Sequence, residues 1–267
     1  MRVLFFVFLF SLALFAEQTY KFGVFPHMPL KKLHAVFDVV TKDLETQLDR
    51  PVVLMTKPYY KLYKEELNRG IYDFAFIQPL DYVQAHELQG YIPLARRAED
   101  LRSIMVVLKA SNYNDIEDIK DRVIASAPAQ AAVTKMMLAS LEKEGYRVLD
   151  DFTLSYSKNH FICLQKLVDA KAAACITAKR SVEFFNQEKG VNSFKIIYET
   201  KALPHALFVA HPRVPLETRK LIEKRILSWD SDEKGRLMLK KGRLLNFIKA
   251  RDTDYGSVRE FMKVEVK

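Results

Sequence analysis

The segment from Gly70 to His86, Gly-Ile-Tyr-Asp-Phe-Ala-Phe-Ile-Gln-Pro-Leu-Asp-Tyr-Val-Gln-Ala-His, constrains the fold more than any other part of this chain. Tyr72 to Ile77 is a short β-branched and aromatic run, stopped by Pro79, after which Tyr82, Val83 and His86 recur at helical spacing. A buried strand therefore ends in a turn that opens a helix. In α/β sheets ligands sit at that point, because the helix N-terminus offers unpaired N–H groups and a partial positive charge.

The same alternation runs along the whole chain. Tyr20 to Phe25 reads as a strand ending at Pro26, and Leu30 to Leu48 carries Leu33, Val36, Phe37, Val40, Leu44 and Leu48 on one helical face. Pro51 to Met55 is the next strand and Tyr60 to Asn68 a helix. Further on, strands are expected at 103–109, 122–125, 154–157, 172–176, 194–199 and 207–210. Helices are expected at 130–145, over the stripe His160, Cys163, Leu164 and Leu167, and at 179–188, 215–229 and 232–239. This βαβ logic implies α/β architecture with parallel strands and right-handed crossovers. Two lobes result, one of residues 17–104 plus 208–267 and the other of residues 105–207. The chain crosses between them twice, a two-strand hinge suited to closing on a ligand.

The ends and the charge narrow the setting. Met1-Arg2 precedes an apolar run from Val3 to Phe15 and the small Ala16, the layout of a signal peptide over 1–16, with the mature chain starting near Glu17. An uncleaved N-terminal anchor is the alternative, which the shortness of the run disfavours. The expected compartment is the periplasm. The net charge is +9, but Lys31-Lys32, Arg96-Arg97, Lys179-Arg180 and Lys240-Lys241 are isolated pairs. Nucleic acid is therefore not an expected partner, whereas a basic surface can steer a small anion inward. Cys163 and Cys175 stand twelve residues apart; in an oxidising compartment they form either a disulfide or two small buried hydrophobes.

Several motifs together resemble a known family, the phosphate/phosphite/phosphonate-binding solute receptors of ABC transporters. The family pattern Gly-x-x-Asp-x-x-x-x-x-Pro-x-x-Tyr-Val-x-Ala is matched at Gly70, Asp73, Pro79, Tyr82, Val83 and Ala85. Phe22-Gly23-Val24-x-Pro26, Gly90-Tyr91, the segment from His160 to Ala174, His211-Pro212-Arg213-Val214-Pro215 and the segment from Asp252 to Arg259 add to the likeness. The resemblance implies a two-lobe periplasmic-binding-protein fold of the type II kind, with an anionic ligand held between the lobes and partly on a helix N-terminus. By carry-over, Tyr60, Tyr82 and His160 fall on ligand-contacting positions.

The family's central motif, roughly Asp-Pro-x-Ser-Thr-Ser-Gly, is replaced here by Ala127-Pro128-Ala129-Gln130-Ala131-Ala132-Val133, which keeps the proline and loses all three hydroxyls. Backbone N–H groups of a helix starting at Gln130 could still hold an oxyanion, with the Gln130 amide beside them. Each lost charge-assisted hydrogen bond costs about 1.5 to 3 kcal/mol, so the change bears directly on which ligand binds. Phe161 and Pro204-His205 stand where relatives carry acids that hold an amino group, which points to a fully anionic or partly aromatic ligand. The expected pocket is Tyr60, Gln78, Tyr82, Pro128, Gln130, Ala131, Ala132, His160 and His205.

No Gly-x-Ser-x-Gly, His-Glu-x-x-His, phosphate loop or Gly-x-Gly-x-x-Gly occurs, so an enzyme, a metal centre and a cofactor are not expected. The sequence points to a monomeric periplasmic receptor that captures a small oxyanion and passes it to an ABC permease. The alternative is a ligand-sensing partner of a histidine kinase, with a non-phosphonate ligand.

Overall fold

The computed structural model describes residues 19–242 and 244–265. The expected signal peptide lies outside the described residues. Strands β1 (Tyr20–Val24), β2 (Val52–Met55), β3 (Phe74–Ile77) and β4 (Ile92–Arg97) alternate with helices α1 (Leu30–Leu48), α2 (Tyr60–Asn68) and α3 (Pro79–Gln89). After a short strand β5 (Asp100–Leu101) the chain enters a second unit. That unit comprises β6 (Ser103–Leu108), β7 (Val123–Ser126), α4 (Ala132–Lys143), α5 (Val148–Asp151), β8 (Thr153–Tyr156), α6 (His160–Val168), β9 (Ala174–Ala178), α7 (Lys179–Lys189) and β10 (Phe194–Glu199). Strand β11 (Leu203–Pro204) leads back to β12 (Leu207–Ala210), α8 (Leu216–Leu227), α9 (Glu233–Gly242), β13 (Phe247–Lys249) and α10 (Gly256–Glu265).

Two sheets result, a six-stranded one in the order β13-β4-β12-β3-β1-β2 and a five-stranded one in the order β10-β6-β9-β7-β8. The two crossing segments pair with each other, Leu203 opposite Leu101 and Pro204 opposite Asp100. This is the two-lobe arrangement that the alternation implied. The sheets are not wholly parallel, however. β1, β2 and β3 run parallel, as do β7, β8 and β9, while β12 is antiparallel to both β3 and β4, and β6 is antiparallel to β9 and β10. The antiparallel strands are the ones reached by the crossing segments or by a return from the other lobe, where no helical crossover fixes direction.

The first lobe's core is aromatic. Phe22 stacks on Phe208 at 5.8 Å, Phe76 meets Phe208 at 4.9 Å, and Trp229 and Phe247 close the cluster against Phe208. Gly23 is required here, since a Cβ would stand 2.5 Å from the Tyr72 ring. α1 is tied to α8 by buried Asp43, whose carboxylate receives two hydrogen bonds from Arg225 at 2.8 Å and one from Trp229 Nε1 at 2.8 Å. These donors hold its pKa low against the opposing effect of burial, the largest single influence. In the second lobe Cys163 on α6 and Cys175 on β9 are joined, with Cα atoms 5.8 Å apart. Helix and returning strand stand as closely as a bridge demands.

Candidate functional site

β1, β3 and β4 point their carboxyl ends at the gap between the lobes, and so does β9 from the other side. The side chains just beyond those ends line a cavity of about 100 Å³. From the first lobe come Phe25, His27, Phe76, Gln78 and Arg97; from the second come Val133, His160, Phe161, Arg180 and Phe184, with His205 on the returning segment. The wall is largely apolar, with a few polar groups that converge, as small-ligand sites are built.

Three imidazoles face this space, and burial is the first cause of a lowered pKa in each. His27 is held at about 4 and His160 at about 3, while His205 lies well below its ordinary value. Arg97 and Arg180 add to the depression of His205, whose Nε2 stands 3.9 Å from the Glu99 carboxylate. The rings are fixed differently. His205 Nδ1 accepts the Ala206 N–H at 2.7 Å, which puts its proton on Nε2. His27 Nδ1 donates to the Phe25 carbonyl at 2.9 Å, which leaves its Nε2 an acceptor. His160 is the first residue of α6, behind an Asn159 cap that accepts the Ile162 N–H, and its Nδ1 lies 2.8 Å from the Thr177 hydroxyl. Glu99 balances the arginines, at 2.9 Å from Arg97 and 3.3 Å from Arg180.

Of the residues expected at the site, Gln78, His160 and His205 line the cavity. Tyr60 does not. Its hydroxyl donates to buried Asp81 and accepts from Gln78 Nε2 at 2.6 Å, so it supports Gln78 from behind. Tyr82 is also placed elsewhere. It is fully buried, packs on Tyr255 at 4.6 Å and donates to Asp252 at 2.7 Å, because helical spacing from Pro79 turns it toward the C-terminal segment.

The expected oxyanion seat departs most. α4 begins at Ala132, two residues later than its sequence suggested, so Gln130 is an exposed turn residue. Pro128, Ala131 and Ala132 are buried, and Ala131, Ala132 and Val133 join the first lobe's apolar core. The Ala132 N–H donates to Gln78 Oε1 at 2.7 Å, across the gap. With Gln130, Ala131 and Ala132 in place of the motif's hydroxyl residues, the start of α4 packs against its neighbour.

His27 and Arg97 were missed by sequence reasoning. His27 stands just past β1, where the carboxyl-end rule for ligand sites would have found it. Arg97 ends β4, whose Pro93 obscured the strand. Among the described residues no His, Cys, Asp or Glu cluster could hold a metal ion, and no helix is long and apolar enough to cross a membrane.

Comparison with solved structures gives the same architecture. PhnD1 from Prochlorococcus marinus, in complex with methylphosphonate, superposes with a TM-score of 0.83 at 19% identity, over 92% of this chain and 97% of that one. A binding component of a phosphonate ABC transporter from Pseudomonas aeruginosa gives 0.84 at 13% identity, over 94% and 87%. A Xanthomonas citri protein bound to ATP gives 0.67 at 14% identity, over 93% and 96%. No curated protein matches the chain in sequence. The family model described as "ABC transporter, phosphonate, periplasmic substrate-binding protein" matches residues 22–255. The chain therefore belongs to the phosphonate family of periplasmic substrate-binding proteins of ABC transporters.

Proposed function

We propose that this protein captures a small oxyanion in the cavity between its lobes and delivers it to an ABC permease. The lobes would divide near residues 104 and 207 and close about β5 and β11. The observation that carries the reading is the convergence of Arg97, Arg180, His160 and His205 on one apolar-walled space at the strand ends. His205 offers an Nε2–H, and His160 does so when its Nδ1 accepts from Thr177. His27 Nε2 suits a protonated oxygen of the same ligand, which favours a monoprotonated anion such as a hydrogen phosphonate. The two guanidinium groups would attract it, and the apolar wall would strengthen each bond. Delivery to the periplasm would follow cleavage before Glu17, which N-terminal sequencing of the exported protein checks.

A second reading has one observation in its favour. The first turn of α4 is buried against the other lobe, which fits a sensor of a non-phosphonate ligand presented to a histidine kinase. A thermal-shift screen of phosphate, phosphite, methylphosphonate, sulfate and small carboxylates separates the two. A ligand at a hundred times its dissociation constant stabilises by about 2.7 kcal/mol. The receptor reading expects a phosphorus oxyanion to give the largest shift, and a response to carboxylates alone would favour the sensor.

A further inference from the structure

Three side chains and one backbone group form a directed chain of hydrogen bonds across the gap between the lobes. The Ala132 N–H, at the start of α4, donates to Gln78 Oε1 at 2.7 Å. Gln78 Nε2 donates to the Tyr60 hydroxyl at 2.6 Å, and that hydroxyl donates to the Asp81 carboxylate. Asp81 is fixed by burial and by Lys64 at 3.7 Å. The order of donors leaves the amide one orientation. Its NH₂ must face the tyrosine, so its oxygen must face the helix N-terminus, where a partial negative charge is stabilised.

We propose that Gln78 is a built-in occupant of the α4 N-terminus, a latch that joins the lobes through protein groups alone and keeps tetrahedral oxyanions off that N–H. Two further features agree with it. Ala131, Ala132 and Val133 pack into the first lobe's core, so the amide is sealed in an apolar contact. Two ion pairs between the lobes are more exposed and more easily screened: Lys32 with Glu188 at 2.5 Å, and Arg180 with Glu99 at 3.3 Å. A ligand that needs the α4 N–H must displace the amide. One that fits between the imidazoles and arginines need not. Gln78 thereby selects among anions without having to touch them. The proposal rests on the interlobe cavity being the ligand site.

The test compares the ligand-free wild type with Gln78→Ala and Tyr60→Phe by small-angle X-ray scattering, with inorganic phosphate and methylphosphonate then titrated by calorimetry. Unchanged Trp229 fluorescence confirms that the variants fold. Gln78→Ala should scatter as a more open particle than the wild type, and Tyr60→Phe should shift in the same direction by less. Gln78→Ala should also bind at least one of the two probes about tenfold more tightly, because the α4 N–H is released. Identical scattering from wild type and Gln78→Ala overturns the latch. Opened scattering together with a wild type that binds a probe and a Gln78→Ala that binds it no more tightly overturns the selection. Failure of the oxyanion reading is a different result: no variant and no wild-type sample responds to any anion, while the scattering difference persists and supports the latch.

Discussion

Lowering the pH from 7 to 5 should cost this protein several kcal/mol of stability, chiefly through the cavity imidazoles. His27 and His160 titrate at about 4 and about 3 in the folded protein, against an ordinary value of 6.5. Their folded values are depressed, so the unfolded chain binds more protons, and stability falls as pH drops through 6.5 toward the folded values. At pH 5 each unfolded imidazole lies 1.5 units below its pKa, while its folded counterpart stays neutral. At about 1.4 kcal/mol per unit each costs about 2 kcal/mol relative to pH 7, so the pair costs about 4. The figure is insensitive to the folded values so long as they stay well below 5. His205, depressed in the same direction, adds to it. Asp43 and Asp252, held low by their partners, lose stability only below the ordinary 3.8 and do not enter this window. Asp81, raised by burial, works the other way. Urea unfolding followed by Trp229 fluorescence at pH 7, 6 and 5 measures the sum. His160→Gln, which keeps a polar partner for Thr177 but cannot titrate, cancels the carboxylate contributions when compared with wild type. The variant should lose about 2 kcal/mol less than wild type over the two units. Equal losses in the two proteins would refute the reasoning.

Tyr82→Phe removes the hydrogen bond to Asp252 and should destabilise by about 1 to 3 kcal/mol in urea while leaving ligand affinity unchanged, since its hydroxyl faces away from the cavity. Reduction of the Cys163–Cys175 bridge, which closes a loop of twelve residues, should cost about 3 kcal/mol, read as a lowered thermal midpoint with and without reductant.

Much of the fold was legible because the chain obeys its periods. α1, from Leu30 to Leu48, and α2, from Tyr60 to Asn68, fall where the apolar stripe and the breaking residues put them. The strand ending before Pro79 and the helix after it do the same. The elements that escaped notice lack such a signal. β4 contains Pro93 and ends in two arginines, β5, β11 and β13 are two or three residues long, and α10 follows a charged segment. The site was harder to read. Gln78, His160 and His205, which line the cavity, stand at element ends, and His160 was reached through the family resemblance. Tyr82 shows the limit, because which side a helical residue faces depends on what packs against the helix, here the segment from Asp252 to Tyr255. The α4 seat shows it again. Three lost hydroxyls were visible in the sequence, but that Gln78 from another lobe would meet the freed N–H is a long-range fact with no local trace.

The central claim is that the cavity between the lobes, and not the Tyr82 region, holds the anion. Titration calorimetry of wild type and His160→Ala, with the strongest oxyanion from the thermal-shift screen, tests it most directly. The account predicts a loss of about 1.5 to 3 kcal/mol in binding, roughly ten- to a hundredfold in affinity, because a desolvated charged group loses the donor at the start of α6. Equal affinity in the two proteins would place the ligand elsewhere and contradict the account.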